Sequence, residues 1–208
     1  GWEDMCPETL RSFAQELHEN GQKAGIYDAP FVCFEEDFDK EMPGIPGHQY
    51  KEILLKDWEG NLLARLDGSY ALDVTHPMWK KQMAWKLEQF AAWGYDYLKM
   101  DFLSHGALEG CHYDPDIRTG RQAIAAGYQW IADHLSRERL GRDFFISLSI
   151  APLFPHGYGH ARRSCCDAFG TNEDIEYVLN ASTYAWWQHG RLYSFNDPDH
   201  ICLLRSFC

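Results

Sequence analysis

The sequence has no apolar run long enough to span a membrane and no charged-then-apolar leader pattern at its N-terminus, so nothing in it asks for a bilayer. It is short of positive charge. The formal net charge is -12, and no basic cluster exceeds Lys80-Lys81 or Arg162-Arg163, which argues against nucleic acid as a partner. The seven cysteines (Cys6, Cys33, Cys111, Cys165, Cys166, Cys202 and Cys208) form no C-x-x-C pair, and their number is odd. A reduced, cytoplasmic setting is expected, with secretion left open because the chain begins Gly1-Trp2 without a methionine. A glycine-rich phosphate loop and a Gly-x-Ser-x-Gly elbow are both lacking. His156 and His160 are four apart, but Gly157 and Gly159 between them oppose the helix that a His-x-x-x-His metal pair uses, and Cys165-Cys166 read as packed thiols. No cofactor and no metal is expected. A homo-oligomer is left open.

What is present suffices for one domain with a substantial core, residues 1–208, at 45% hydrophobic and 15% aromatic. Leu10, Phe13, Ala14 and Leu17 form a helical stripe between Pro7 and Asn20, and a strand from Lys23 to Asp28 follows. Residues 29–68 read as an insertion, with acidic Glu35-Glu36-Asp37, a turn-rich Pro43 to Gly47, and a hairpin joining Ile53-Leu54-Leu55 to Leu62-Leu63. A strand is expected at Ser69–Val74. Thr75-His76-Pro77 opens a helix carrying Trp79, Met83, Leu87, Phe90 and Ala91, which Gly94 ends. Further elements follow: a strand at Tyr95–Asp101, a helix at Thr119–Leu140, a strand at Phe144–Ser149, a loop at Pro152–His160, a short segment around Cys165–Phe169, a helix near Asn172–Asn180 and a strand around Leu192–Asn196.

Strands alternating with helices imply an α/β fold with a parallel sheet. Tyr27-Asp28, Asp73, Asp101, Asp167 and Asn196-Asp197 fall at or just beyond expected strand C-termini, where a (β/α)8 TIM barrel collects its site. The barrel is therefore the expected architecture.

Alternation places Tyr97, Lys99 and Asp101 on one face of their strand and Leu98 and Met100 on the other. By itself that is either a strand-end ion pair or part of a site. Tyr97-Leu98-Lys99-Met100-Asp101-Phe102 resembles the fourth-strand motif of the retaining α-galactosidases (melibiases) of glycoside hydrolase families 27 and 36. Gly25-Ile26-Tyr27 is similar to their second-strand motif, and Leu72-Asp73-Val74-Thr75-His76-Pro77 and Asn196-Asp197-Pro198-Asp199-His200 are similar to further family sequences, in the same order. Arg163-Ser164-Cys165-Cys166-Asp167 fits the family's Arg followed four positions later by an acid; Asp174 competes but falls in an expected helix N-terminal turn. The family's Asp-Asp pair would come just before Gly1, so the resemblance implies a barrel lacking its first and last strands. Ser149-Ile150-Ala151-Pro152 departs from the family's fifth-strand recognition sequence.

The resemblance implies that Asp101 is the nucleophile and Asp167 the general acid and base, with the two carboxyls about 5 to 5.5 Å apart if configuration is retained. Lys99 would keep Asp101 ionised and contact a sugar. Arg163, Tyr27, Asp28 and Trp2 would line the sugar site, a carbohydrate being the implied substrate. Asp73 reads as a supporting residue, and Asp197 and Asp199, flanking Pro198, as turn formers or sugar contacts.

Overall fold

The computed structural model describes residues 2–149, 151 and 155–199. Its elements are α1 (Pro7–Glu19), β1 (Gly25–Asp28), β2 (Val32–Cys33), β3 (Tyr70–Ala71), α2 (Pro77–Ala92), β4 (Tyr97–Met100), α3 (Gly120–His134), α4 (Arg137–Leu140), β5 (Phe145–Leu148), β6 (Ala161–Arg163), α5 (Asn172–Ala185) and β7 (Phe195–Asp197), with short 3-10 turns between some of them. The helix starts are chemically specified. Pro7 and Pro77 open α1 and α2, and Thr119 with Gln122 and Thr171 with Asp174 form reciprocal capping boxes at α3 and α5.

Five strands form one parallel sheet in the order β1-β4-β5-β6-β7. Each new strand joins the same side, so the sheet has no reversal of strand order of the kind a doubly wound fold uses as its ligand crevice. Ile26, Leu98, Met100, Ile146 and Leu148 are buried in the core, which also holds Trp79, Met83, Leu87 and Phe90 of α2 and Ile124, Tyr128 and Ile131 of α3. Each buried Leu, Ile or Phe side chain contributes roughly 1.5–3 kcal/mol. The alternate residues are more open: Tyr27, Tyr97, Lys99 and Phe145 are exposed or half-buried. The register sets Tyr27 beside Lys99 and Lys99 beside Ser147, and Arg163 beside Asp197, so the C-terminal ends of the strands assemble one polar row.

Several expectations change. The (β/α)8 barrel is not closed among the described residues; the five strands form an open sheet. The strand expected at Ser69–Val74 contributes only Tyr70–Ala71, which pairs antiparallel with β2 and stays out of the main sheet, leaving β1 and β4 as direct neighbours. The cause is local: Leu72 N donates to the carbonyl of Phe31 and Asp73 N to that of Ile53, so this segment is tied to the 29–55 region. The hairpin reduces to a Lys56–Leu62 bridge around a turn whose amides of Glu59 and Asn61 donate to the Asp57 carboxylate, while Leu54 bridges Leu72. The short segment expected around Cys165–Phe169 is loop, and the strand lies just before it, at Ala161–Arg163, which puts Asp167 beyond the strand end; the last strand begins at Phe195 rather than Leu192.

Candidate active site

Asp101 follows β4 directly and is 7% exposed. Its amide donates to the carbonyl of Asp28 (3.0 Å), which continues the β1–β4 pairing by one residue. The next residue, Phe102, takes a left-handed conformation (φ 53°), costing roughly 1–2 kcal/mol for a residue with a Cβ. That conformation turns the chain away from the sheet and lets Phe102 N donate to Asp101 Oδ1 (2.9 Å). His105, fully buried one turn later, donates from Nε2 to the carbonyl of Leu66 (2.8 Å) and ties the turn to the 29–76 connection.

Two strands further on, Arg163 ends β6 almost completely buried, at 4% exposure. Its guanidinium is divided among three partners: Nη2 reaches Asp167 (2.7 Å), Nη1 reaches Asp199 (2.7 Å), and Nε and Nη2 donate to Ser149 Oγ (3.2 and 2.8 Å). Burial alone would lower the Arg163 pKa, but Asp199, then Asp167 and Asp101, raise it above its ordinary value. Asp199 also accepts from Ala168 N (2.7 Å), and the carbonyl of Asp197 accepts from Ser164 N (2.8 Å), so the loop that carries Asp167 is fastened to the end of β7. Asp174 is a helix cap: its carboxylate accepts from Phe169 N and Thr171 N, and Thr171 Oγ1 accepts from Asp174 N.

Tyr27 links the two halves. Its hydroxyl is held above the usual tyrosine range, first by desolvation and then by the negative charges of Asp101, Asp28 and Asp167. Of the two acids, Asp167, on the loop after β6, contacts Arg163 directly, whereas Asp101 stands at the end of β4 two strands away.

Lys99 shares the face of Tyr27, but the ion pairs at this end of the sheet are made by Arg163 and Lys86, and no direct salt bridge of Lys99 to Asp101 forms among the described residues. Asp28 differs more. Strand alternation splits it from Tyr27, and it is 4% exposed with Oδ1 accepting from Lys86 Nζ of α2 (3.0 Å) and Trp2 Nε1 (3.4 Å). Trp2 packs edge-on against Phe90 and Trp93. Trp2, Tyr27, Asp28, Phe34, Tyr50 and Lys86 are among the residues around a cavity of about 290 Å³. A larger hollow, about 1020 Å³, lies at the opposite, N-terminal ends of the strands beside Tyr97, Phe145 and Phe195, away from these carboxylates. Gly1, Ile150, Pro152, His200, Cys202 and Cys208 lie outside the described residues.

Sequence reasoning misses Lys86, Ser149 and Glu3. Lys86 has a readable signal: with Gln82 it interrupts the buried stripe of Trp79, Met83, Leu87 and Phe90, and a lysine on such a stripe requires a partner. Ser149 and Glu3 have none.

Asp73 is not at the end of a main-sheet strand. It is buried in the loop before α2 and accepts from Thr75 N (3.0 Å), Thr75 Oγ1 (2.7 Å), Tyr113 N (2.6 Å) and His112 Nδ1 (3.4 Å).

No protein-family model matches the chain. Among solved structures it is similar to an α-galactosidase from Thermus thermophilus in complex with p-nitrophenyl α-D-galactopyranoside, at 23% identity and a TM-score of 0.67 over 94% of this chain and 40% of that one. It is also similar to a GH27 β-L-arabinopyranosidase from Geobacillus stearothermophilus (18%, TM-score 0.61, 91% and 41%) and to the α-N-acetylgalactosaminidase NagBb from Bifidobacterium bifidum (14%, TM-score 0.51, 76% and 24%). The chain spans well under half the length of each. At these identities the likeness establishes a shared α/β fold.

Proposed function

We propose that this chain carries the two-carboxylate centre of a retaining glycoside hydrolase acting on terminal α-D-galactosyl groups, its sheet forming part of a (β/α)8 barrel. The observation that carries this reading is that Asp101 is fixed at the end of β4, while two strands along in the same sheet Arg163, ending β6, holds the loop carboxylate of Asp167 at 2.7 Å. Two carboxylates near one pocket suffice for glycoside cleavage: one attacks the anomeric carbon while the other protonates the leaving oxygen and then deprotonates the incoming water. Asp101 suits the first role, because it is anchored by the β4 backbone and the Phe102 turn. Asp167, more than half exposed on a loop, suits the second, which needs access to water. Lys99, Arg163, Tyr27, Asp28 and Trp2 hold the sugar. The folds shared with an α-galactosidase, an arabinopyranosidase and an α-N-acetylgalactosaminidase support the reaction class and leave α-N-acetylgalactosamine and β-L-arabinopyranose as competing sugars.

The test is hydrolysis of nitrophenyl α-galactoside, α-N-acetylgalactosaminide and β-L-arabinopyranoside. Asp101→Asn is expected to reduce turnover by at least about a thousandfold, and proton NMR of the first-formed sugar should show the substrate's anomeric configuration. Full activity in Asp101→Asn removes the assignment. Binding without turnover in the native chain would make this a sugar-binding domain instead.

A further inference from the structure

We propose that Arg162, Tyr128 and Tyr193 form a binding site for a small monovalent anion behind β6, on the opposite face of the sheet from the carboxylates. Arg162 and Arg163 are consecutive strand residues and so point to opposite faces. Arg163 faces Asp167 and Asp199. Arg162 faces the helix layer, where its register partners are Leu148, a fully buried core residue, and Asn196, whose side-chain amide donates to the Ala185 carbonyl of α5.

Four polar atoms here are buried without a hydrogen-bond partner: Arg162 Nε, the hydroxyls of Tyr128 and Tyr193, and Asn196 Oδ1. The elements that carry them meet at one place. Tyr128 of α3 stacks on Tyr158 (5.4 Å between ring centres), Tyr158 leads into β6 through His160, and the His160 carbonyl accepts from the amide of Ser194 (2.7 Å), the residue after Tyr193. Tyr128, Leu148 and Tyr193 belong to one buried cluster, with Tyr158 packed against it.

What is lacking there is negative charge. Arg162 donates from Nη2 to the Ala151 carbonyl (3.4 Å) and has no carboxylate partner among the described residues, Asp167 and Asp199 being bonded to Arg163. A half-buried guanidinium with its Nε closed to water and no counter-charge is costly, and an anion removes that cost. The two hydroxyls are donors. Burial is the first cause that raises both tyrosine pKa values, Tyr193 adds to it at Tyr128, and the positive charge of Arg162 opposes it at both, so that charge reaches both hydroxyls and both stay protonated. Water satisfies the hydroxyls but leaves the guanidinium unbalanced, whereas an anion does both. One guanidinium asks for a single negative charge, and donors closed to solvent ask for a small ion. Asn196 Oδ1 is an acceptor and suits a water beside the ion. The chain as a whole, at a formal net charge of -12, repels anions, so saturable anion binding requires a local site.

The experiment melts the 208-residue chain, followed by tryptophan fluorescence, in sodium gluconate at fixed ionic strength, with the bulky gluconate replaced stepwise by chloride or formate. The expected result is a saturable rise in melting temperature of at least about 2 °C with either small anion, because a ligand bound only by the folded chain stabilises it. Arg162→Met keeps a long side chain without the charge and should lose the rise altogether. Tyr128→Phe and Tyr193→Phe should each move half-saturation to at least about threefold more chloride. If Arg162→Met does not fold, the two tyrosine variants carry the test. A native chain indifferent to the exchange, which means water only at these groups, overturns the proposal. So does an undiminished rise in folded Arg162→Met, or an unchanged half-saturation in both tyrosine variants. None of these readouts depends on glycoside hydrolysis.

Discussion

Arg163 serves two carboxylates with one guanidinium, and the geometry of that division explains why a lysine cannot replace it. Nη1 and Nη2 each lie 2.7 Å from a different acid while Nε and Nη2 also reach Ser149 Oγ, a forked arrangement that a point-like ammonium cannot copy. The two bonds are unequal in weight. Asp167 has 53% of its side chain exposed, so water screens its share, whereas Asp199 has 15% and is also bound to the Ala168 amide. Arg163→Lys is therefore expected to destabilise the chain by about 1–3 kcal/mol through the lost Asp199 and Ser149 contacts, read as a lower urea midpoint. An unchanged midpoint would show that the buried cluster contributes nothing. The sequence names Arg163 and Asp167 by their spacing, but the partner that fixes them is Asp199, read there as a turn former or sugar contact. Spacing along one strand cannot reveal a bond that crosses to the next.

At the scale of elements, Asp73 shows how a loop can imitate a strand in sequence. Tyr70-Ala71-Leu72-Asp73-Val74 is a short, mostly apolar run with an acid near its end, yet after the two-residue β3 its backbone bonds go to Phe31 and Ile53, and the carboxylate accepts from Thr75, Tyr113 and His112. Asp73 thereby joins the segment before α2 to the segment after β4. Burial would raise its pKa from the ordinary 3.8, but the hydrogen bonds from His112, Thr75 and Tyr113 outweigh burial and lower it. A lowered folded pKa gives stability that is fully present above the unfolded value and is lost as pH falls through the folded one. Asp73→Asn should cost roughly 2–3 kcal/mol near neutrality, with the gap to the native chain closing below about pH 3.8 in urea titrations. A constant gap would rule out ionisation as the source. The helices are more legible than the strands because their caps and stripes are local: Pro7, Pro77, Thr119 and Thr171 sit at helix starts whatever lies around them. Ala161-Arg162-Arg163 carries no apolar run, and only its neighbours β5 and β7 make it a strand.

At the scale of the whole molecule, three histidines accept hydrogen bonds from backbone amides among the described residues, His76, His160 and His189, and at the first two this makes the fold sensitive to mild acid. His76 Nδ1 accepts from Met78 N and caps α2 (3.1 Å), while His160 Nδ1 accepts from Ile146 N (3.0 Å) where β5 meets the segment leading into β6. Each bond exists only while that nitrogen is unprotonated. Burial is the first cause that lowers both pKa values below the ordinary 6.5, against opposing carboxylates: Asp73 and Glu52 for His76, Asp143 for His160. With the folded values below the unfolded one, the unfolded chain takes up more protons as pH drops through about 6.5, so stability falls from there toward the folded values and not at higher pH. Replacing His76 by Asn keeps an N-cap acceptor that does not titrate. The native chain should lose melting temperature between about pH 7.5 and 5.5. His76→Asn should match it at the upper end and lose less at the lower, by circular-dichroism melts. Parallel decline in both would place the acid sensitivity outside the α2 cap and leave His160, at the β5 junction, as the next residue to exchange.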